Sequence, residues 1–233
     1  MPGDPCVRCR APSVLYQRYS GRHLCAIHLA ADILVRVKRS IRLDGGLGKK
    51  PVITIFWEGL ACCPLLSILG QVLGTRPGMD CVLLHNGCDL PDLSEIGALL
   101  PSTIRIRTDD IQGRNIRDAV QMTGADRLVI CTTLDEEAEL VLGSLLSGKC
   151  LSLLQHPDLS PVVLLRPFRE IPLDELRLVQ DLQFPITDGA EPGTHVQTFL
   201  SSLTRNHPSI PFSLISYRDR LCEFEKNHTL KSD

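Results

Sequence analysis

A chain of 233 residues with a formal net charge of -2 suits one domain of ordinary size plus a small appendage, and it excludes nucleic-acid binding through the field of the whole molecule. Hydrophobic residues make up 43% and charged residues 22%, enough to bury a core and too balanced for a disordered chain. No apolar run reaches the roughly 18–20 residues that span a bilayer, and the opening Met-Pro-Gly-Asp-Pro-Cys lacks a secretion signal's basic-then-apolar pattern, so a cytoplasmic protein with no membrane contact is expected.

The first element is a metal-binding finger. Ten cysteines in a reducing compartment point to metal more than to disulfides. Cys6-Val-Arg-Cys9 is followed, after fifteen residues, by Cys25-Ala-Ile-His28. Two intervening residues let a tight turn aim both side chains of a pair at one ion, and the loop returns the second pair to complete a tetrahedron. Cys6, Cys9, Cys25 and His28 are therefore expected to hold Zn²⁺. His23 is a rival donor, placed less well for pairing with Cys25. So short a segment buries no core of its own, and ligation supplies its folding free energy.

A helix follows, with Ile27, Ala30, Leu34, Val37 and Ile41 spaced as one apolar face. Arg36, Lys38, Arg39 and Arg42 project elsewhere, and Arg8, Arg10, Arg18 and Arg22 lie in the finger. Arg18, Arg22, Lys38, Arg39 and Arg42 are the candidates for RNA phosphate contact; the alternative is an ordinary solvated face. Asp44-Gly-Gly-Leu-Gly-Lys-Lys reads as a linker.

Beyond the linker the pattern becomes α/β. Pro51 to Trp57 is an apolar, β-branched run of the kind found in buried parallel strands. Further strands are expected at Cys81–His85, Thr103–Arg107, Arg127–Thr132 and Val162–Leu165, with helices at 60–73, 114–122 and Leu134–Leu146. The last of these opens on Asp135, Glu136 and Glu137, acids that suit a helix N-terminus. Such alternation implies a doubly wound, Rossmann-like parallel sheet, followed by a mostly helical segment over 172–226. The chain thus divides into a finger and basic helix (1–42), an α/β domain (51–170) and a helical extension (171–233).

In this fold ligands sit beyond the carboxyl end of the first strand, here Trp57-Glu-Gly-Leu-Ala-Cys-Cys-Pro64. A phosphate cradle needs several glycines with hydroxyl or lysine donors. Only Gly59 is present, and Glu58 would repel phosphate. Cys62 and Cys63 open the next helix, where a helix N-terminus lowers a thiol pKa, and Cys131 ends the fourth strand on the same side. These three are candidate reactive thiols or, alternatively, small buried hydrophobes. Cys81, Cys88 and Cys150 are isolated.

Three segments in order resemble the TtuA-type tRNA uridine 2-thiolases of the PP-loop ATPase group. They are the finger and its helix (Cys6 to Arg42), Gly124-Ala-Asp-Arg-Leu with Leu134-Asp-Glu-Glu-Ala138, which looks like the family's Gly-His-Asn-Leu-Asp-Asp-Glu-Ala, and Leu165-Arg-Pro-Phe-Arg-Glu-Ile-Pro172, similar to its Pro-Leu-Arg-Glu-Ile-Pro. The resemblance implies a PP-loop (HUP-type) domain, tRNA contact through the finger, and descent from an enzyme that adenylates uridine and transfers sulfur with an iron–sulfur cluster. The departures fall on the chemistry. Trp57-Glu-Gly-Leu-Ala-Cys62 stands where the family has Ser-Gly-Gly-Lys-Asp-Ser. No cysteine lies near Arg105–Asp109 or Asp188–Pro192, where the cluster ligands belong, and Thr132-Thr133 replaces a His-Asn pair. ATP and an iron–sulfur cluster are therefore not expected. The resemblance implies a pseudoenzyme that binds tRNA, or pairs with an active thiolase paralogue or with itself. An active sulfur-transfer enzyme with a rewired cysteine site and a zinc-finger protein-interaction adaptor remain as alternatives.

Overall fold

The computed structural model describes residues 4–49, 51–58, 62–73, 78–87, 90, 92–153, 159–179 and 194–229; Gly59, Cys88 and residues 188–192, which the sequence reading used, lie outside them. A short antiparallel pair, β1 (Leu15–Gln17) and β2 (Arg22–Leu24), sets Leu15 opposite Leu24 and leads into α1 (Ala26–Leu43). Then come β3 (Val52–Phe56), α2 (Cys62–Leu73), β4 (Asp80–His85), α3 (Leu93–Ala98), β5 (Arg105–Asp110), α4 (Ile116–Met122), β6 (Arg127–Val129), α5 (Leu134–Leu146), β7 (Val163–Leu165), α6 (Leu173–Val179), α7 (His195–Asn206) and α8 (Ile210–Thr229). Among the described residues no helix is long and apolar enough to cross a membrane.

The five strands β3 to β7 form one parallel sheet in the order β5-β4-β3-β6-β7. The first strand is central and the order reverses beside it, which is the expected doubly wound arrangement and puts the switch point between the carboxyl ends of β3 and β6. Side chains alternate across the sheet. Ile53, Ile55, Cys81 and Leu83 join α1, α2, α3 and α6 in one buried cluster, whereas Val82, Leu84 and Leu128 join Ala119 and Val120 of α4 in another. The first cluster also takes in Cys6, Leu24, Cys25 and Leu29, so the core of the finger is continuous with that of the sheet.

Several expectations change in register. The inward face of α1 is Leu29, Ile33, Val37 and Ile41, with Leu34 packed at its margin, while Ile27 is 78% exposed and Ala30 is exposed. Cys25 and His28 fix this rotation, because side chains three and four residues apart share a helix face and the ligand face must point into the finger. The supposed linker is a packed helix cap. Gly45 and Gly46 adopt φ of 97° and 75°, and the Gly46 N–H returns to the Ile41 carbonyl, a reversal that favours glycine. β5 runs later than expected because pairing with β4 continues through Asp109 and Asp110 at the sheet edge, where polar side chains stay in water. α3 went unforeseen, since six residues are too few to show a period.

α2 approaches the turn after α3 at Gly70. A Cβ on Gly70 would lie 3.0 Å from both the Leu99 carbonyl oxygen and Pro101 Cδ. Gly70→Ala is expected to lower stability by about 1–3 kcal/mol in urea unfolding, with overpacking outweighing alanine's better helix propensity.

Candidate metal centre and sheet-edge crevice

The finger brings its ligands together. The donor atoms of Cys6, Cys9, Cys25 and His28 all lie within 4.8 Å of one another, a group able to hold a metal ion. Cys6 and Cys9 sit on a tight turn in which the Arg10 N–H returns to the Cys6 carbonyl, with Arg10 at φ 64°. Cys25 is the N-cap of α1 and His28 lies in its first turn. Burial opposes ionisation of Cys6, but hydrogen bonds from the backbone at Cys25, Arg8 and Cys9 outweigh it and hold the thiol down to about 6. His23 is not in the group: it stacks on Tyr16 with centroids 4.5 Å apart and reaches Asp4 at 3.4 Å.

Much of the expected basic surface is committed inside the molecule. Asp32, 8% exposed, receives Arg36 at 3.1 Å, Arg22 at 3.2 Å and Arg8 at 3.6 Å. Glu175 of α6, 2% exposed, pairs with Arg36 and accepts bonds from Gln17 (3.1 Å) and Tyr19 (2.5 Å). Arg18 donates to the Arg205 carbonyl. Arg22 is therefore a joint between finger and α1 rather than a free phosphate contact, and Arg18 is spent on α7. The cause is desolvation: a carboxylate buried at this depth needs cationic partners. Lys38, Arg39 and Arg42 show no such pairing among the described residues; Arg39 and Arg42 are exposed and Lys38 is half-buried.

The three recognisable segments are stitched to one another. Arg36 donates to the Glu170 carbonyl, Arg169 reaches Asp44 at 3.8 Å and pairs with Asp219, and the Arg166 N–H bonds Asp44 at 2.9 Å. The Leu134 N–H bonds the Ile171 carbonyl and the Leu173 N–H bonds Asp135. Each acid opening α5 has a structural task. Asp135 caps α6 in this way, and Glu136 completes a capping box with Thr133. Glu137, 4% exposed, accepts from Thr132 (2.9 Å), pairs with Arg218 and lies 3.6 Å from Arg166. These bonds give the three acids helix-start and anchoring roles.

At the switch point, Trp57 is buried at the end of β3 and Glu58 follows it. Burial and repulsion from the Glu136 carboxylate raise the Glu58 pKa, so acidic groups gather where a nucleotide phosphate would need donors. Cys62 and Cys131 are joined as a disulfide, Cα–Cα 5.6 Å, across this point. The expected thiol cluster is thus a bonded pair and a separate Cys63. Cys63 is buried and its thiol pushed up to about 11 by burial, opposite to the expected lowering, because desolvation outweighs the helix N-terminus. Cys81 is likewise pushed up to about 12 by burial.

Residues 6–30, which span all four ligand positions, match the family model of the 2-thiouridine synthetase TtuA N-terminal LIM domain. The tRNA 2-thiolation protein NcsA of Haloferax volcanii is 24% identical over 278 aligned positions, covering 94% of this chain and 87% of that protein. The fold matches the U34-tRNA thiolase NcsA from Methanococcus maripaludis, a structure with its 4Fe–4S cluster, at TM-score 0.74 and 18% identity, over 96% of this chain and 88% of that one. Over residues 6–30 the chain is similar to the TtuA finger, over nearly its whole length it is similar to a tRNA 2-thiolation protein, and its fold is that of an NcsA thiolase.

Proposed function

We propose that this protein is a non-catalytic relative of the tRNA 2-thiouridine synthetases, acting in the cytoplasm by binding tRNA through the finger and the far end of α1, alone or beside an active thiolase. The reading rests on the switch point between β3 and β6. Like-charge repulsion from Glu136 acts on Glu58 there and the Cys62–Cys131 bond crosses it, an arrangement that disfavours a pyrophosphate and leaves little to stabilise charge on one leaving. Burial pushes the Cys63 thiol up to about 11, which disfavours it as the nucleophile of a rewired enzyme. In the finger, three thiolates and an imidazole match zinc's usual structural ligand set, so Zn²⁺ is the metal proposed. No iron–sulfur cluster belongs to the reading, because 105–109 hold no cysteine.

Two titrations test it. ATP added to the zinc-loaded protein in a calorimeter is expected to give no heat of binding up to millimolar nucleotide, and micromolar affinity would refute the non-catalytic reading. tRNA in a gel-shift series is expected to bind with a salt dependence that weakens when Lys38, Arg39 and Arg42 are changed together to glutamate. Three lost phosphate contacts reduce the slope of log K against log salt by about 2–3. Absence of tRNA binding together with a copurifying thiolase would move the function to the partner. Absence of both would leave the adaptor reading.

A further inference from the structure

The Cys62–Cys131 bond crosses the switch point of the sheet. Its halves belong to α2 and to the segment after β6, 69 residues apart in sequence, and β3 and β6 are already hydrogen-bonded neighbours there. Among the described residues the bond joins the two cysteines that flank the switch point. Both sulfurs also lie near one acceptor, the Phe56 carbonyl oxygen, at 3.7 Å from Cys62 and 4.0 Å from Cys131. If the bond opens, each thiol S–H finds an acceptor in place, so neither redox state strands a buried donor. Cys63 adjoins Cys62, but its thiol is held protonated by burial and is a poor competitor in exchange, which requires a thiolate.

We infer that Cys62 and Cys131 form a reversible dithiol–disulfide site across the switch point between β3 and β6. The oxidant is a low-molecular-weight disulfide. One cysteine thiolate attacks it, forming a mixed disulfide and releasing one thiol. The second cysteine then displaces the other, so two protein thiols and one small disulfide become one protein disulfide and two small thiols. Cys62 is fully buried and Cys131 nearly so, so exchange proceeds through local opening of the α2 N-terminus and is slow.

The full-length, metal-loaded protein is equilibrated with mixtures of reduced and oxidised glutathione, quenched with acid, alkylated in denaturant and mapped by mass spectrometry. A cross-linked peptide pair containing Cys62 and Cys131 is expected to appear and vanish reversibly with the glutathione ratio, at unchanged metal content. The melting temperature is expected to rise on oxidation by about 10 °C, as closure of a loop of this length implies. Full alkylation of both cysteines at the most oxidising ratio, with the fold intact, overturns the inference, as does a bond that maps to Cys63. Because the map uses the unaltered chain, it does not depend on whether Cys131→Ala folds. If that variant folds, its melting temperature should not respond to glutathione. The result is independent of tRNA and ATP binding.

Discussion

Cys25→Ser is expected to empty the finger and unfold it while leaving the sheet standing. Metal analysis should fall from one bound ion per chain to none, and amide exchange should accelerate over residues 4–24 but not over β3, β4 and β6. The size of the effect follows from how little regular structure the segment has of its own. Its two strands have three residues each, and a structural zinc contributes about 10–16 kcal/mol to the folding of finger peptides near neutral pH. α1 should survive in part, because Leu29, Ile33, Val37 and Ile41 are buried in the cluster they share with the sheet. Its first turns should loosen, since Arg22 and Arg8 would no longer be carried to Asp32. Cys63→Ser serves as the control and should leave the metal in place. A Cys25→Ser protein that keeps both its metal and its exchange protection would remove Cys25 from the ligand set.

The grouping of Cys6, Cys9, Cys25 and His28 and the parallel sheet were readable in the sequence because each follows from a strict spacing. Four donors in two pairs allow few arrangements other than a tetrahedron, and β-branched runs alternating with helical ones lead to a parallel sheet. The face of α1 was misread for a related reason. Ile27, Ala30, Leu34, Val37 and Ile41 satisfy a helical period, yet so do Leu29, Ile33, Val37 and Ile41, and only the tertiary demand that His28 face Cys6 selects the second. The fate of the arginines was hidden more deeply. The Asp32–Arg36 pair is local, four residues apart on α1, but nothing local to Arg36 reveals that Glu175 will be buried beside it, because Glu175 lies 139 residues away. Cys62 and Cys131 showed only that they would share an edge of the sheet. Their bonding depends on a Cα–Cα distance that no spacing encodes.

The preserved Leu134-Asp-Glu-Glu-Ala138 segment invites a catalytic reading, and Glu137 shows why a structural one accounts for it. Glu137 is 4% exposed and holds Arg218 of α8 and Arg166 after β7, with Thr132 on its second oxygen. Glu137→Ala leaves two buried guanidinium groups short of their counter-charge and is expected to cost about 3–5 kcal/mol in chemical denaturation. Glu137→Leu combined with Arg218→Met should recover only part of that, because Arg166 remains. The pH dependence carries a second signature. Burial pushes the Glu137 pKa up, but Arg218 and Arg166 outweigh it, and the folded value lies below the ordinary one. A depressed carboxylate contributes stability that is present above its unfolded pKa of about 4.3 and disappears as pH falls through the lower folded value. The unaltered protein should therefore lose stability on acidification below about pH 4 more steeply than Glu137→Ala, with the two curves converging at the acid end. Parallel curves would mean that Glu137 is not the ion-paired anchor of α8, and would return the segment to the list of candidates for chemistry.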